Sequence, residues 1–384
     1  MRRHYNSRMS SPTLKIIDNI ADIPAAEWDA LAGDDPMLSH AFFHALQESG
    51  CATPQFGWQA QFITLWQDDH LLGAMPLYQK MNSYGEHVFD FAWAEAYQRY
   101  GLRYYPKLVC TVPFTPVTGR RLLAESDEVR GLLLKHALQY AKDTGVSSLH
   151  CLFLNEVDVL VAQTQGMMLR QDVQFHWRNP GYRNFDEFLA TLSRDKRKRI
   201  KQERRKVKEA GIEVQCVTGH QATADQWAFF AACYLHTLRL HNSPHQLNED
   251  FFRRIGAAIP QHTLLVIATR EGRPIASALN YVTREALHGR SWGTFEFHSG
   301  LHFETCYYQA IEYCIAHNIK TFEGGAGGEH KLARGFLPVI TRSAHWLAQP
   351  QFAQAVENYL VQEADAIAEY VDDLNERSPF KGHL

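Results

Sequence analysis

The sequence predicts an α/β protein in which two halves repeat one order of elements. Two observations predict it. Residues 61–78, QFITLWQDDHLLGAMPLY, and residues 264–281, LLVIATREGRPIASALNY, each set two apolar runs around a short polar turn, the pattern of a β-hairpin. Their second strands align Leu72-Gly73-Ala74-Met75 with Ile275-Ala276-Ser277-Ala278. Each hairpin is then followed by a further extended segment, an amphipathic helix and a short buried strand.

In the first half, Val129, Leu132, Leu133, His136, Ala137 and Tyr140 fall at helical spacing. Gly145 ends that helix, and residues 146–154, VSSLHCLFL, read as the strand. The turn-rich RNPGYRN (178–184) marks the boundary between the halves. A helix is predicted next, over residues 185–210, with a thin apolar seam of Phe185, Leu189, Leu192, Ile200 and Val207. At 1.5 Å per residue, ~25 residues extend about 37 Å. GIEVQCV (211–217) follows as a strand. In the second half Phe303, Tyr307, Ala310, Ile311, Cys314 and Ile315 form the helical stripe, Asn318 ends it, and IKTFEGG (319–325) is the strand. Residues 351–372 predict a final amphipathic helix, with Phe352, Val356, Tyr359, Leu360, Glu363 and Ile367 at helical steps, expected to pack on the second half. The layout is a frayed tail (1–13), a first domain (14–177), a second domain (178–350) containing the basic helix 186–210, and a C-terminal helix and tail (351–384).

The net charge of −3 excludes a general nucleic-acid binder. That average hides an asymmetry. Arg194 to Lys208 holds ten of the 39 basic residues and two of the 42 acidic ones, leaving 29 basic against 40 acidic residues elsewhere. Seven cysteines without a CxxC fit a reducing compartment. The opening MRRHYNSRMSSP lacks the apolar core of a secretory signal, and no stretch approaches a membrane span, so a soluble, cytoplasmic protein is expected. His236, His241 and His245 match no zinc spacing, and no metal is expected.

The duplicated order is similar to the GNAT acyltransferase fold in tandem. GEHVFDFAWAEAYQRYGLRYYPKLVCTVPFTPVTGRRLL (85–123), LSRDKRKRIKQERRKVKEAGIEV (192–214), and LHFETCYYQAIEYCI (301–315) with FEGGAGGEHKLARGFLPVITRSAHW (322–346) resemble the FemAB-like branch linked to peptidoglycan biosynthesis or recognition. The resemblance runs over roughly residues 14–350. It implies transfer of an acyl or aminoacyl group to a small-molecule or peptide amine. It implies no tightly bound cofactor, with acyl-CoA or aminoacyl-tRNA as the donor, and it leaves the choice between them open.

Amine acylation needs a neutral amine, a donor carbonyl held against it, and positive charge or N–H groups for the oxyanion. Glycines 324, 325, 327 and 328 let the backbone approach a ligand closely, and Glu329, His330, Lys331 and Arg334 follow within six positions. Lys331 resembles the lysine of the K-x-x-F-G region in Fem-type transferases, which neutralises the oxyanion; here the order is Lys331, Arg334, Gly335, Phe336. Glu329 or His330 is the candidate general base. Trp292, Glu304, Tyr307, Tyr308 and Arg334 are candidate substrate contacts, Glu304 as a ligand for the amine. Asp90 and Glu95 are candidates for a cationic group, with a structural role the alternative. His302 and Cys306, one helical turn apart, allow a Cys/His pair, although a buried helical cysteine is the commoner occurrence. Thr118, Gly119 and Arg120 could hold a phosphate or carboxylate. Neither half carries the Q/R-x-x-G-x-G/A loop of coenzyme A users. Arg204 and Arg205 test whether the basic helix holds an anion, such as donor phosphates or tRNA, or is balanced by the acidic remainder. Sequence-specific DNA reading is not expected, since the segment has no aromatics for base stacking and no DNA-binding motif.

Overall fold

The computed structural model describes residues 11–244 and 246–382. Residues 1–10 of the predicted tail, and His245 of the histidine trio, lie outside the described residues. The strands in chain order are β1 (Thr13–Ile17), β2 (Trp58–Ala60), β3 (Phe62–Gln67), β4 (His70–Met75), β5 (Leu77–Lys80), β6 (Lys107–Cys110), β7 (Leu123–Ala124) and β8 (Ser148–Leu154). They continue as β9 (Met168–Arg178), β10 (Ile212–Thr218), β11 (Thr263–Arg270), β12 (Arg273–Val282), β13 (Ala286–Thr294), β14 (Thr321–Ala326) and β15 (Leu337–Leu347). Both expected hairpins are present, as β3–β4 and β11–β12.

One eleven-stranded sheet crosses both halves in the order β10-β11-β12-β13-β14-β9-β15-β8-β6-β5-β2, and β1, β3, β4 and β7 form a second sheet. The centre of the large sheet is a strand exchange. β9 leaves the first half to pair with β14, and β15 returns from the second half to pair with β8, while β9 and β15 pair with each other from Met168 to His176. The exchange welds the halves through backbone hydrogen bonds. Sequence periodicity cannot show it, because strands entering either neighbour read alike.

Each half contains one parallel pair. β6 runs with β8 over Leu108–Cys110, and β13 runs with β14 over Ala286–His288, after which each pair separates. Parallel pairs require a crossover, and the helices Asp127–Thr144 and the run from Leu301 to Ala316 supply them. Gly145 ends the first crossover helix in a left-handed conformation (φ 67°), as the sequence suggests.

Two expectations need correction. The basic helix is not continuous over 186–210. Phe185–Thr191 and Arg194–Glu209 are separate helices, with Leu192 extended between them. The C-terminal segment causes the break: Leu192 bridges Phe380, Ser193 N donates to Pro379 O at 2.9 Å, and Lys381 N donates to Thr191 O at 2.9 Å. The final helix, Pro350–Glu376, packs on both halves rather than on the second alone. Val356 and Leu360 bury against Trp93, Tyr97 and Tyr104, while Leu374 joins the core of Phe188, Leu189 and Ile311. Its Glu363 clamps Arg170 of β9 with two 2.9 Å hydrogen bonds.

Beneath the final helix, residues of the first half and His345 of β15 bury a polar chain. His345 Nδ1 lies 2.7 Å from His150 Nδ1, and His150 Nε2 lies 3.1 Å from the Tyr104 hydroxyl. Tyr104 in turn donates to Asp90 Oδ2 at 2.6 Å, and Lys107 Nζ reaches Glu86 at 2.8 Å. Burial lowers the pKa of both histidines, His150 to about 3. The folded state therefore holds them neutral, whereas the unfolded chain protonates near pH 6.5. Their contribution to stability is complete above that value and is lost as pH falls, at about 1.4 kcal/mol per pH unit for each histidine. Urea titrations between pH 6.5 and 5 should show a shallower loss in His345→Asn than in the parent protein. An equal slope would mean that the pair does not carry the acid sensitivity.

Candidate active site

The second half opens a cleft where β13 and β14 part. The two strands run together to His288 and Glu323, whose side chains meet at 3.1 Å, and then diverge. Burial opposes the charge of each, and the partner outweighs it, so the His288 pKa is raised and that of Glu323 lowered. Beyond this pair lies a cavity of about 140 Å³ whose walls include Arg290, Trp292, His302, Cys306, Tyr307 and Lys331.

The glycine-rich segment shapes one wall. Gly325 and Gly328 take φ of 74° and 81°, a region other residues rarely adopt, and the chain turns there into the single helical turn Glu329–Arg334. That turn brings Lys331 back over the end of β14, where Nζ donates to Gly325 O at 3.1 Å and Ala326 O at 2.9 Å. Lys331 is 5% exposed, and burial lowers its pKa to about 8, with Arg290 adding to the effect. A lysine held this way offers a charged donor near neutral pH without a carboxylate to quench it.

The other wall comes from the helical run Leu301–Ala316. Residues Glu304–Tyr308 form a π-turn. Glu304, Thr305, Tyr307 and Tyr308 are buried in it. Tyr307 faces the cleft, and its hydroxyl lies 3.2 Å from His330 Nε2. The His302 ring packs 4.8 Å from Trp292 and 6.0 Å from His330. Burial lowers the His302 pKa to about 4, and burial together with Arg334 and Lys331 lowers that of His330, so both imidazoles are neutral at pH 7. Burial pushes the Cys306 thiol up to about 12, which is the opposite of what a thiolate nucleophile needs.

The cleft therefore brings together Lys331, His330, Trp292 and Tyr307 from the sequence candidates. The others lie elsewhere. Glu329 points out of the cleft, pairing with Arg377 at 2.8 Å and with Tyr370, so it does not reach the position of a general base. Glu304 is no free amine ligand: Arg204 Nη2 donates to it at 3.0 Å, and Gln309 Nε2 at 2.7 Å. Arg204 is also held by Glu312 at 2.8 and 2.9 Å, so the helix uses it as an internal tie rather than an anion site. Arg205 is exposed and stands 3.5 Å from Glu209. Tyr308 and Arg334 form a buried clamp with Glu203: Arg334 donates to Tyr308 Oη at 3.0 Å, to His330 O at 2.6 Å and to Glu203 Oε1 at 2.7 Å, and Tyr308 donates to Glu203 Oε2. Asp90 does hold a cation, but it is the protein's own Lys107. Glu95 is exposed on the helix Phe91–Arg99.

Gly119 and Arg120 are engaged by the protein's own backbone. Gly119 N donates to Phe153 O at 3.0 Å, Asn155 N donates to Gly119 O at 3.1 Å, and Arg120 Nη2 donates to Ala32 O at 2.6 Å. Among the described residues Thr118 Oγ1 is buried without a partner. This stretch lies where β6 and β8 part, so the first half fills with its own backbone the gap that the second half leaves open. Arg121 completes the plug, donating to the carbonyls of Leu152, Arg120 and Val117 at 2.9, 2.9 and 2.7 Å.

Sequence reasoning missed Arg290, which lines the cleft, and the His288–Glu323 pair at its root. The segment HGRSWGTFEF (288–297) carries both His288 and Arg290, and alternation along it could have drawn attention to them. A bulge between Gly289 and Ser291 breaks that alternation.

A search of curated proteins finds no match to this sequence. Among solved structures, FemX is similar at 12% identity and a TM-score of 0.54, covering 87% of this chain and 98% of its own. The C-terminal domain of a putative lysylphosphatidylglycerol synthetase from Agrobacterium fabrum is similar at 9% identity and a TM-score of 0.51, covering 89% and 97%. At these identities the likeness concerns the fold alone. Among the described residues no helix is long and apolar enough to cross a membrane. The FemAB-like family model, described as peptidoglycan biosynthesis/recognition, matches residues 19–382, and the chain belongs to that family.

Proposed function

We propose that the second-half cleft transfers an acyl or aminoacyl group to an amine by direct attack within a ternary complex. The observation that carries this reading is Lys331, a buried ammonium in a small aromatic-lined cavity, tied among the described residues to two carbonyl oxygens. In the proposed step the amine nitrogen bonds to the donor carbonyl carbon, and negative charge grows on the carbonyl oxygen, where Lys331 stabilises it. Collapse of the intermediate expels the donor's thiolate or ribose oxygen. His330, neutral and hydrogen-bonded to Tyr307, accepts the proton lost by the amine. Trp292 and His302 wall the acyl group from water.

The test is a transfer screen with labelled acetyl-CoA and labelled aminoacyl-tRNA against pools of amino acids and cell-wall peptides. Label in an amide product supports the reading, and its absence with every donor favours a recognition protein on the same fold. Because the His330 pKa is lowered, the acidic limb of kcat/KM should lie below pH 6.5, and His330→Gln should remove that limb. An unchanged limb in that variant would assign the base elsewhere.

A second reading, with aminoacyl-tRNA as the donor, is favoured by the outward side of the helix Arg194–Glu209. Arg199, Lys201, Arg204 and Arg205 are ion-paired. Among the described residues Arg194, Lys196, Arg197, Lys198, Lys206 and Lys208 are not. Binding through such a surface weakens steeply with salt as counterions are released. Binding of tRNA that is absent at low ionic strength would remove this reading.

A further inference from the structure

Arg290 is a half-buried arginine that the proposed chemistry leaves unused. It is the extra residue of a β-bulge: Leu279 pairs with Ser291 and Asn280 pairs with Gly289, so Arg290 has no partner across the ladder. Bulges re-aim side chains, and this one turns the guanidinium into the wall of the cleft that also holds Lys331.

Four other buried or half-buried arginines are satisfied internally. Arg121 meets three carbonyls, Arg334 meets a carboxylate, a phenol and a carbonyl, Arg204 meets two carboxylates, and Arg170 meets Glu363 and the Phe89 carbonyl. Arg290 makes one hydrogen bond, from Nη2 to the Phe114 carbonyl at 3.2 Å. Among the described residues neither Arg290 nor Lys331 is ion-paired. Glu323, the carboxylate nearest in electrostatic effect, is engaged by His288. The remaining groups around the two cations are neutral at pH 7: His302, the Cys306 thiol, and the phenols of Tyr234, Tyr281 and Tyr307. Two cations facing one desolvated cavity repel each other, and burial disfavours the charge on both. An anion entering the cavity relieves both costs. Arg290 has four N–H groups free of protein partners, enough to hold a carboxylate by two parallel bonds.

We propose that the amine substrate also carries a carboxylate, as an amino acid or a peptide end does, and that Arg290 seats this carboxylate in the cleft. The cavity is small, about 140 Å³ against the roughly 300 Å³ at which drug-sized sites begin, which suits a short acyl group on an amino-acid frame. Lys331 then remains free for the oxyanion, while Arg290 fixes the amine relative to it. The inference rests on the acyl-transfer reading for what the bound molecule does, and on the two cations for what it is.

Calorimetry on the full chain tests it without turnover, using N-acetylglycine as a product-like carboxylate, N-acetylglycinamide as its neutral counterpart, and inorganic phosphate. The acid should bind about tenfold or more tightly than the amide. Arg290→Gln should erase that preference, and Arg290→Lys should keep part of it. If Arg290→Gln fails to fold, the acid–amide comparison on the parent protein and Arg290→Lys carry the test. Equal binding of acid and amide, no binding of the acid, or an intact preference in Arg290→Gln overturns the proposal. So does phosphate competing as well as the acid, which would assign Arg290 to a phosphate-bearing donor. A carboxylate preference without transfer of any label would leave this site standing and remove the acyl-transfer reading. Transfer to neutral amines, unaffected by Arg290→Gln, would do the reverse.

Discussion

Replacing Lys331 with methionine should lower transfer turnover by a factor of about 10² to 10³, the effect of losing one oxyanion donor. The loss should fall on kcat, with little change in KM, because the interaction is made with charge that appears only in the transition state. Stability should stay level or rise. Methionine has a similar length, and the substitution removes a buried ammonium whose charge the cavity disfavours. The pH dependence follows the same logic. Lys331 stabilises the oxyanion only when protonated, so activity should decline as pH rises through about 8. With the His330 limb on the acid side, the profile should be bell-shaped. Turnover by Lys331→Met within threefold of the parent would show that the oxyanion is stabilised elsewhere.

Arg334→Met should destabilise the protein by about 3–5 kcal/mol, the usual cost of breaking one side of a buried ion pair. Arg334 is 1% exposed and joins three elements: the helix Arg194–Glu209 through Glu203, the π-turn through Tyr308, and its own helical turn through His330 O. Its guanidinium also lies 3.3 Å from the centre of the Phe303 ring. Arg199 still reaches Glu203 at 3.1 Å, which places the loss toward the lower part of that range. The arginine sits three residues from Lys331, so its removal should also impair turnover by loosening the turn that carries Lys331 and His330. Adding Glu203→Met removes the stranded carboxylate and should restore a part of the lost stability. Chemical denaturation of the two single variants and the double variant measures this coupling, and strictly additive losses would show that no clamp exists.

What the sequence disclosed follows what each pattern can encode. The hairpins and the strand Thr321–Ala326 were legible as short apolar runs bounded by turn residues, and the crossover helices as apolar stripes at helical spacing. The strand exchange was not, since β9 and β15 carry no mark of which neighbour they join. The break at Leu192 was hidden for a similar reason: its cause is Pro379–Lys381, nearly two hundred residues away. At the site, motif resemblance and the glycine loop point to Lys331, His330 and Tyr307, and Trp292 was a candidate only as an aromatic able to line a pocket. Glu329, Glu304 and Arg204 were misplaced because adjacency in sequence does not say which charges satisfy one another. The basic helix shows the same limit. Its charge looks uniform in sequence, yet Arg204 is bound by two carboxylates while Arg197 and Lys198 stay unpaired among the described residues.

On the proposed reading the protein has one working cleft, in the second half, and the first half has closed its own. The most direct measurement of this is a crystal structure with the acyl product of whichever donor and acceptor pair shows turnover in the transfer screen. The expected result is density for the new amide between β13 and β14, with the carbonyl oxygen within hydrogen-bonding reach of Lys331 Nζ. Density between β6 and β8, with the stretch from Val117 to Arg121 displaced, would contradict it. So would density in the apolar groove between the helices Phe91–Arg99 and Pro350–Glu376 while the second-half cleft stays empty.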